Sequence, residues 1–135
     1  MGGTMSLTGV RVLCVDDDLD TCELLATVLQ LAGAAVVTAL SASDALFTLN
    51  EFKPNVLISD TSISNESGYQ LIRKIRALPK EHGGQIPAIA LTGHVSPEDR
   101  QRALLFGFQA HLAKPFDPDQ LVDVILVLLK RKRSD

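Results

Sequence analysis

Apolar positions along the chain alternate between two rhythms, five times over. Short apolar runs cover about residues 10–16, 35–40, 55–60, 86–92 and 110–114, and runs of this length predict buried strands. Segments with apolar residues at helical spacing cover about 19–32, 43–52, 67–78, 97–107 and 118–131. In the first of these Leu25, Val28, Leu29 and Ala32 recur at that spacing, and Gly33 supplies a stop. Ser43 with Asp44 is expected to open the second helix, and Pro54 to close the stretch before the third strand. Ser96-Pro97-Glu98-Asp99 reads as a cap, a first-turn proline and an acidic first turn, and Asp117-Pro118-Asp119 repeats the logic. Gly83-Gly84 falls in the loop before the fourth strand and reads as a flexible point. Strand–helix alternation at this spacing predicts one α/β domain, a parallel sheet with right-handed crossovers and helices on both faces.

Composition narrows the classes. The 135 residues carry a net charge of −3, with 21% charged and 46% apolar, which suits one globular domain and gives no electrostatic footprint for direct nucleic acid binding. The one basic run, Lys130-Arg-Lys-Arg133, reads as a solvated last helical turn or a docking tail. Without an apolar stretch of about 18 residues, no membrane insertion is expected. Gly2 fits the bare N-myristoylation pattern, a weak signal in a Gly-rich N-terminus. Cys14 and Cys22 are too few for a disulfide framework, and Cys14 reads as a packed free thiol; both fit a reducing, cytoplasmic setting.

The candidate chemistry sits at strand ends. Arg11-Val-Leu-Cys-Val-Asp16-Asp17-Asp18 closes the first strand with three acids, and Val56-Leu-Ile-Ser-Asp60 closes the third with a lone carboxylate. In open α/β sheets ligands bind beyond the carboxyl ends of the strands. Like charges gathered there repel, so a hard cation such as Mg²⁺ is the natural companion. The fourth strand ends in Thr92 and the fifth in Lys114-Pro115, adding a hydroxyl and a fixed cation. Acid pair, lone Asp, Thr and Lys imply a site able to accept a phosphoryl group, because three equatorial oxygens carry the charge of such a transfer. Which two of Asp16, Asp17 and Asp18 face the metal is left open by the residues alone.

Taken together, these residues resemble the receiver domain of two-component response regulators, over nearly all of 9–131. The resemblance implies a flavodoxin-like, doubly wound five-stranded parallel sheet, strand order 2-1-3-4-5, with five helices. It implies a domain over 9–131, an N-terminal extension at 1–8 and a basic tail at 132–135. Asp60 would be the phosphoacceptor; Asp16, Asp17, Asp60 and the backbone carbonyl of Ser62 would hold Mg²⁺, with Asp18 as a helix N-cap. Thr92 and Lys114 would stabilise the phosphoryl group, and Thr92 with His111 would form the switch, His111 standing where the family usually has Tyr or Phe. Pro115, expected in a cis bond, and Gly68 would be structural. Ile63 and Ser64 stand where the family often has Met and Pro, and His94 with Ser62 would bear on phosphoryl lifetime. Such a domain is not an enzyme beyond self-phosphotransfer and autodephosphorylation; its expected partner is a histidine kinase or histidine phosphotransfer protein. Leu7-Thr-Gly9-Val-Arg-Val-Leu13 resembles the lead-in of receivers fused behind hybrid histidine kinases.

Eight of the nine residues Leu121, Val122, Asp123, Val124, Ile125, Leu126, Val127, Leu128 and Leu129 are apolar, more than one buried stripe needs. With Leu105, Phe106 and Phe108 they predict a partner surface or homodimer through helix four, strand five and helix five. The principal rival is an aspartyl-phosphate phosphatase of haloacid-dehalogenase type, whose nucleophile would sit after the first strand. There Asp16-x-Asp18 is followed by Asp20 where that pattern needs Thr or Val. A calcium loop on Asp16, Asp18 and Asp20 lacks the turn glycine, replaced by Thr21, and the closing Glu, replaced by Thr27. A scaffold-only pseudo-receiver would not need the complete acid pair, Asp60, Thr92 and Lys114.

Overall fold

Five strands, β1 (Arg11–Val15), β2 (Ala35–Ala39), β3 (Val56–Asp60), β4 (Ala88–Thr92) and β5 (Ala110–Ala113), alternate with five helices. The helices are α1 (Leu19–Leu31), α2 (Ala42–Phe52), α3 (Gly68–Arg76), α4 (Pro97–Phe106) and α5 (Pro118–Leu128). The computed structural model describes residues 6–63, 66–93 and 96–130. The strands pair in parallel in the order β2-β1-β3-β4-β5, so the expected fold is the observed one. A two-residue antiparallel ladder, Ser62–Ile63 with Glu66–Ser67, lies between β3 and α3.

Each central strand feeds two cores in alternation, because successive side chains point to opposite faces. Val12, Cys14, Ile58, Ile89 and Leu91 pack with Leu25 and Leu29 of α1 and Leu121 and Ile125 of α5. Leu13, Val15, Leu57, Ala88 and Ala90 pack on the other face against α2, α3 and α4. All five residues of β3 are buried, as are all five of β4. Leu7 joins the first core fully buried, its N–H donating to the Ala32 carbonyl at 2.8 Å. The segment expected as an N-terminal extension over 1–8 thus contributes a core side chain. Residues 1–5 and 131–135, with the Gly2 pattern, the expected basic tail at 132–135 and most of the basic run, lie outside the described residues.

Helix starts follow local hydrogen-bonding chemistry. Asp18 caps α1, accepting from Asp20 N–H at 3.2 Å and the Thr21 hydroxyl at 2.7 Å. Ser67 and Gln70 form a reciprocal capping box on α3, Ser96 caps α4 and Asp117 caps α5. The second helix corrects the expectation: Ser41, not Ser43, is its cap, accepting from Asp44 N–H at 3.2 Å. Gly84 also departs from the reading as a flexible point. A Cβ there would lie 1.9 Å from the Leu78 carbonyl oxygen, so close backbone approach, not looseness, requires glycine. The fourth strand begins at Ala88 instead of 86, because Pro87 has no N–H to pair, although its carbonyl accepts from Leu57 at 2.9 Å. The fifth helix ends at Leu128, and Lys130 adopts φ 56°, which turns the chain out of the helix. Among the described residues no helix is long and apolar enough to cross a membrane.

Candidate functional site

The carboxyl ends of β1, β3, β4 and β5 converge. β1 delivers Asp16, whose N–H donates to the Ala39 carbonyl at 3.1 Å and whose side chain is 1% exposed. A carboxylate buried that deeply needs partners. One oxygen accepts from Asp18 N–H at 2.9 Å, and the other lies 2.8 Å from the Lys114 ammonium. β3 delivers Asp60, which accepts from Ser62 N–H at 3.2 Å and from the same ammonium at 3.3 Å. Lys114 is positioned just past β5, its own N–H donating to the Thr92 carbonyl at 2.8 Å, and the Lys114–Pro115 bond is cis as expected. Thr92 closes β4 buried beside this group.

Oxygens of Asp16, Asp17 and Asp60 lie within 4.8 Å of one another. Asp17 is exposed while its two companions are buried. Asp18 is outside this group, turned to its capping role, which separates the three acids that the sequence left open. Three hard carboxylate donors around one opening fit Mg²⁺ and suit no soft metal.

One ammonium between two buried carboxylates cannot satisfy both equally. Burial raises the Asp60 pKa and the Asp16 charge adds to it, against the opposing pull of the Ser62 N–H and Lys114. Burial works against the Lys114 ammonium as well, yet the hydrogen bond to Asp16 and the charge of Asp60 outweigh it, and its pKa is raised. Lys114 is thus firmly charged, while Asp60 holds its negative charge under strain. A cation or a proton that neutralises that charge is favoured there.

Gly68 earns its place through contact: a Cβ would lie 2.0 Å from the Asp60 carbonyl oxygen, while Gly68 N–H donates to the Thr61 carbonyl at 2.9 Å. The first turn of α3 therefore rests on the Asp60 peptide. Two contributors went unassigned in the sequence. Ser59 is fully buried and donates to the Asp60 carbonyl at 2.9 Å; its signal was a lone hydroxyl inside an apolar run. Cys22 donates to the Asp16 carbonyl at 3.3 Å, and burial next to that carboxylate pushes its thiol up to about 11. Cys14 is likewise a buried free thiol, as expected, with its pKa driven up by burial.

His111 pairs with Ala90 across the β4–β5 ladder and is half-buried, with both ring nitrogens shielded from solvent. Ser64 and His94 lie outside the described residues. On α5, Leu121, Val122, Ile125 and Leu126 are buried, and Val124, Leu128 and Leu129 are partly buried against the same core. Val127 is 73% exposed, as are Leu104 (55%) and Leu105 (83%) of α4.

Comparison with known proteins gives a consistent result. The family model described as response regulator receiver domain matches residues 12–126. An uncharacterized 14.6 kDa protein of Leptolyngbya boryana is 42% identical over 120 residues, covering 89% of this chain and 90% of that one. The chain spans only 8% to 53% of seven further curated relatives that it resembles, which are histidine kinases and transcriptional regulatory proteins. Among solved structures, the chemotaxis response regulator CheY4 of Vibrio cholerae superposes with a TM-score of 0.82 at 29% identity, covering 90% of this chain and 99% of that one. The receiver domain of a Pseudomonas aeruginosa sensor histidine kinase, with magnesium coordinated in its active site cleft, gives 0.81 at 26% identity, covering 91% and 99%.

Proposed function

This chain belongs to the response regulator receiver domain family, and on that premise we propose that it accepts a phosphoryl group on Asp60 and changes a partner-binding surface in response. The phosphodonor is a histidine kinase or histidine phosphotransfer protein, in the cytoplasm. The observation that carries this reading is the placement of the Lys114 ammonium, 2.8 Å from Asp16 and 3.3 Å from Asp60. It leaves Asp60 the less satisfied of the two buried acids, beside an opening ringed by carboxylates.

In the reaction an Asp60 oxygen forms a bond to phosphorus as the phosphorus–nitrogen bond of the donor phosphohistidine breaks, and the imidazole retains the electron pair. Asp16, Asp17, Asp60 and the Ser62 carbonyl would hold Mg²⁺, which when bound neutralises charge on the transferring oxygens. Lys114 moves from pairing two carboxylates to pairing a phosphoryl oxygen, and the Thr92 hydroxyl donates to another. Ser59 and Gly68 fix the Asp60 peptide so that the carboxylate enters the site from one direction. Thr92 and His111 form the switch that carries this change toward α4, β5 and α5. Exposed Leu104, Leu105 and Val127 support that face as the one meeting a partner or a second copy.

Turnover is confined to the domain's own phosphoryl group. The family match leaves the haloacid-dehalogenase reading without support, and the acceptor-like acid follows β3, not β1. The test is incubation with Mg²⁺ and acetyl phosphate followed by mass spectrometry. One phosphoryl group on Asp60, absent from Asp60→Asn, is expected; undiminished labelling of that variant refutes the assignment.

A further inference from the structure

The amino-terminal ends of β3 and β4, opposite Asp60 and Thr92, adjoin a cavity of about 180 Å³. One wall is the last turn of α2, with Leu49 and Lys53, just before β3. The other is the short turn Lys80–His82 with Gly83, in the loop leading to β4. Leu49 is buried and supplies an apolar floor. A Cβ on Gly83 would press on the Leu49 side chain at 3.2 Å, so the missing side chain leaves room above that floor. Lys53, Lys80 and His82 line the cavity with a single acid, Glu81. Among the described residues none of the three basic side chains has an ion-pair partner.

Backbone conformation adds a second observation. Lys53 closes α2 at φ 51° and ψ 63°, the left-handed region, where glycine or asparagine would sit at less cost. A basic residue suits the negative end of a helix. Lys80 and His82, however, belong to a separate turn, so the helix end does not account for three basic side chains around one space. Two ammoniums and an imidazole match the oxygens of a dianion, since charge-assisted hydrogen bonds are the strong ones. The volume falls below the roughly 300–1,000 Å³ typical of larger ligand sites, which limits the ligand to a few carbons. We propose that this cavity binds a small phosphate monoester. Its phosphoryl oxygens meet Lys53, Lys80 and His82, and its carbon end rests on Leu49. The site lies at the other end of the sheet from the carboxylate group and is independent of it.

The probe is n-butyl phosphate, titrated into the full chain in magnesium-free buffer, with inorganic phosphate and butanol as controls. Calorimetry should show binding of butyl phosphate, binding of inorganic phosphate about tenfold weaker for want of apolar burial, and none of butanol. Amide shifts in nitrogen–proton correlation spectra should centre on residues 49–53 and 80–83. Lys53→Asn combined with Lys80→Gln should weaken binding about tenfold, the sum of two exposed ion pairs. Asparagine tolerates the left-handed conformation, so the double variant is expected to fold, with circular dichroism as the check. Glu81→Gln removes the one acid and should tighten binding, a gain that misfolding cannot mimic. Three results overturn the proposal: no binding of butyl phosphate, affinity unchanged by the double substitution, or equal affinity for inorganic phosphate. Shifts centred on Asp60, Thr92 and Lys114 overturn it too, because they give the anion to the other end of the sheet.

Discussion

Replacing Gly68 with alanine sets two magnitudes against each other. Alanine is favoured over glycine within a helix by roughly 0.5–1 kcal/mol, and Gly68 is the first residue of α3. Propensity alone therefore makes Gly68→Ala stabilising. The added Cβ, however, would lie 2.0 Å from the Asp60 carbonyl oxygen, 2.9 Å from Thr61 Cα and 3.0 Å from the Asp60 carbonyl carbon. Ordinary contact begins at 3.4 Å, so α3 and the Asp60 peptide must separate by more than an ångström. All three atoms are main chain, and none can rotate away. Overpacking of this kind costs about 1–3 kcal/mol, so the clash wins and the net loss is about 1–2 kcal/mol. For a chain of this size that lowers the melting midpoint by roughly 3–8 °C. The separation also displaces Asp60 itself, so labelling by acetyl phosphate at 25 °C, where the variant stays folded, should slow. Circular dichroism melts and a labelling time course read both effects. A midpoint at or above that of wild type, with unchanged labelling, would show that the α3 start does not bear on Asp60.

Asp60→Asn should melt higher than wild type at pH 7 in metal-free buffer. A carboxyl raised by burial gives up stability as pH climbs from about 4 through its folded value, so the variant's advantage should shrink as pH falls toward 3.5; a pH-independent difference refutes this. Asp17→Ala removes one of the three grouped carboxylates, and the rise in midpoint on adding Mg²⁺ should fall; an undiminished rise moves the metal elsewhere. Arg76 donates to the Gly107 carbonyl at 3.0 and 2.7 Å and to the Gly84 carbonyl at 3.0 Å. Arg76→Met should therefore cost roughly 2–4 kcal/mol in urea unfolding, and a loss near zero would show those carbonyls find water instead.

The strand ends were legible because burial and charge conflict there: an acid at the end of an apolar run has few explanations other than a site. The fold was legible for a related reason, since continuous apolar runs separated by amphipathic ones leave little besides a parallel sheet covered on both faces. What was not legible depended on distance between segments remote in sequence. Ser41 and Ser43 both offer a hydroxyl near Asp44, and only the path out of β2 decides which one reaches its N–H. Gly84 looks like any loop glycine until the Leu78 carbonyl is placed against it. Leu7 reads as part of a tail until Ala32 supplies its hydrogen-bond partner. Ser59 needed its buried hydroxyl's acceptor to be seen, and Asp17 parts from Asp18 only once Thr21 engages the latter.

β3 feeds alternate residues to two separate cores and ends in Asp60. A slip of one residue against its neighbours would exchange every inward side chain for its opposite and put Ser59 or Thr61 where Asp60 belongs. The position of Asp60 is therefore held by the same register that holds both cores, not by a loop that could adjust on its own. Labelling of Asp60, as proposed, would consequently double as a test of assembly. Under the proposed function, a chain that has collapsed without correct strand pairing would offer its phosphodonor no acceptor, and only correctly paired molecules would signal.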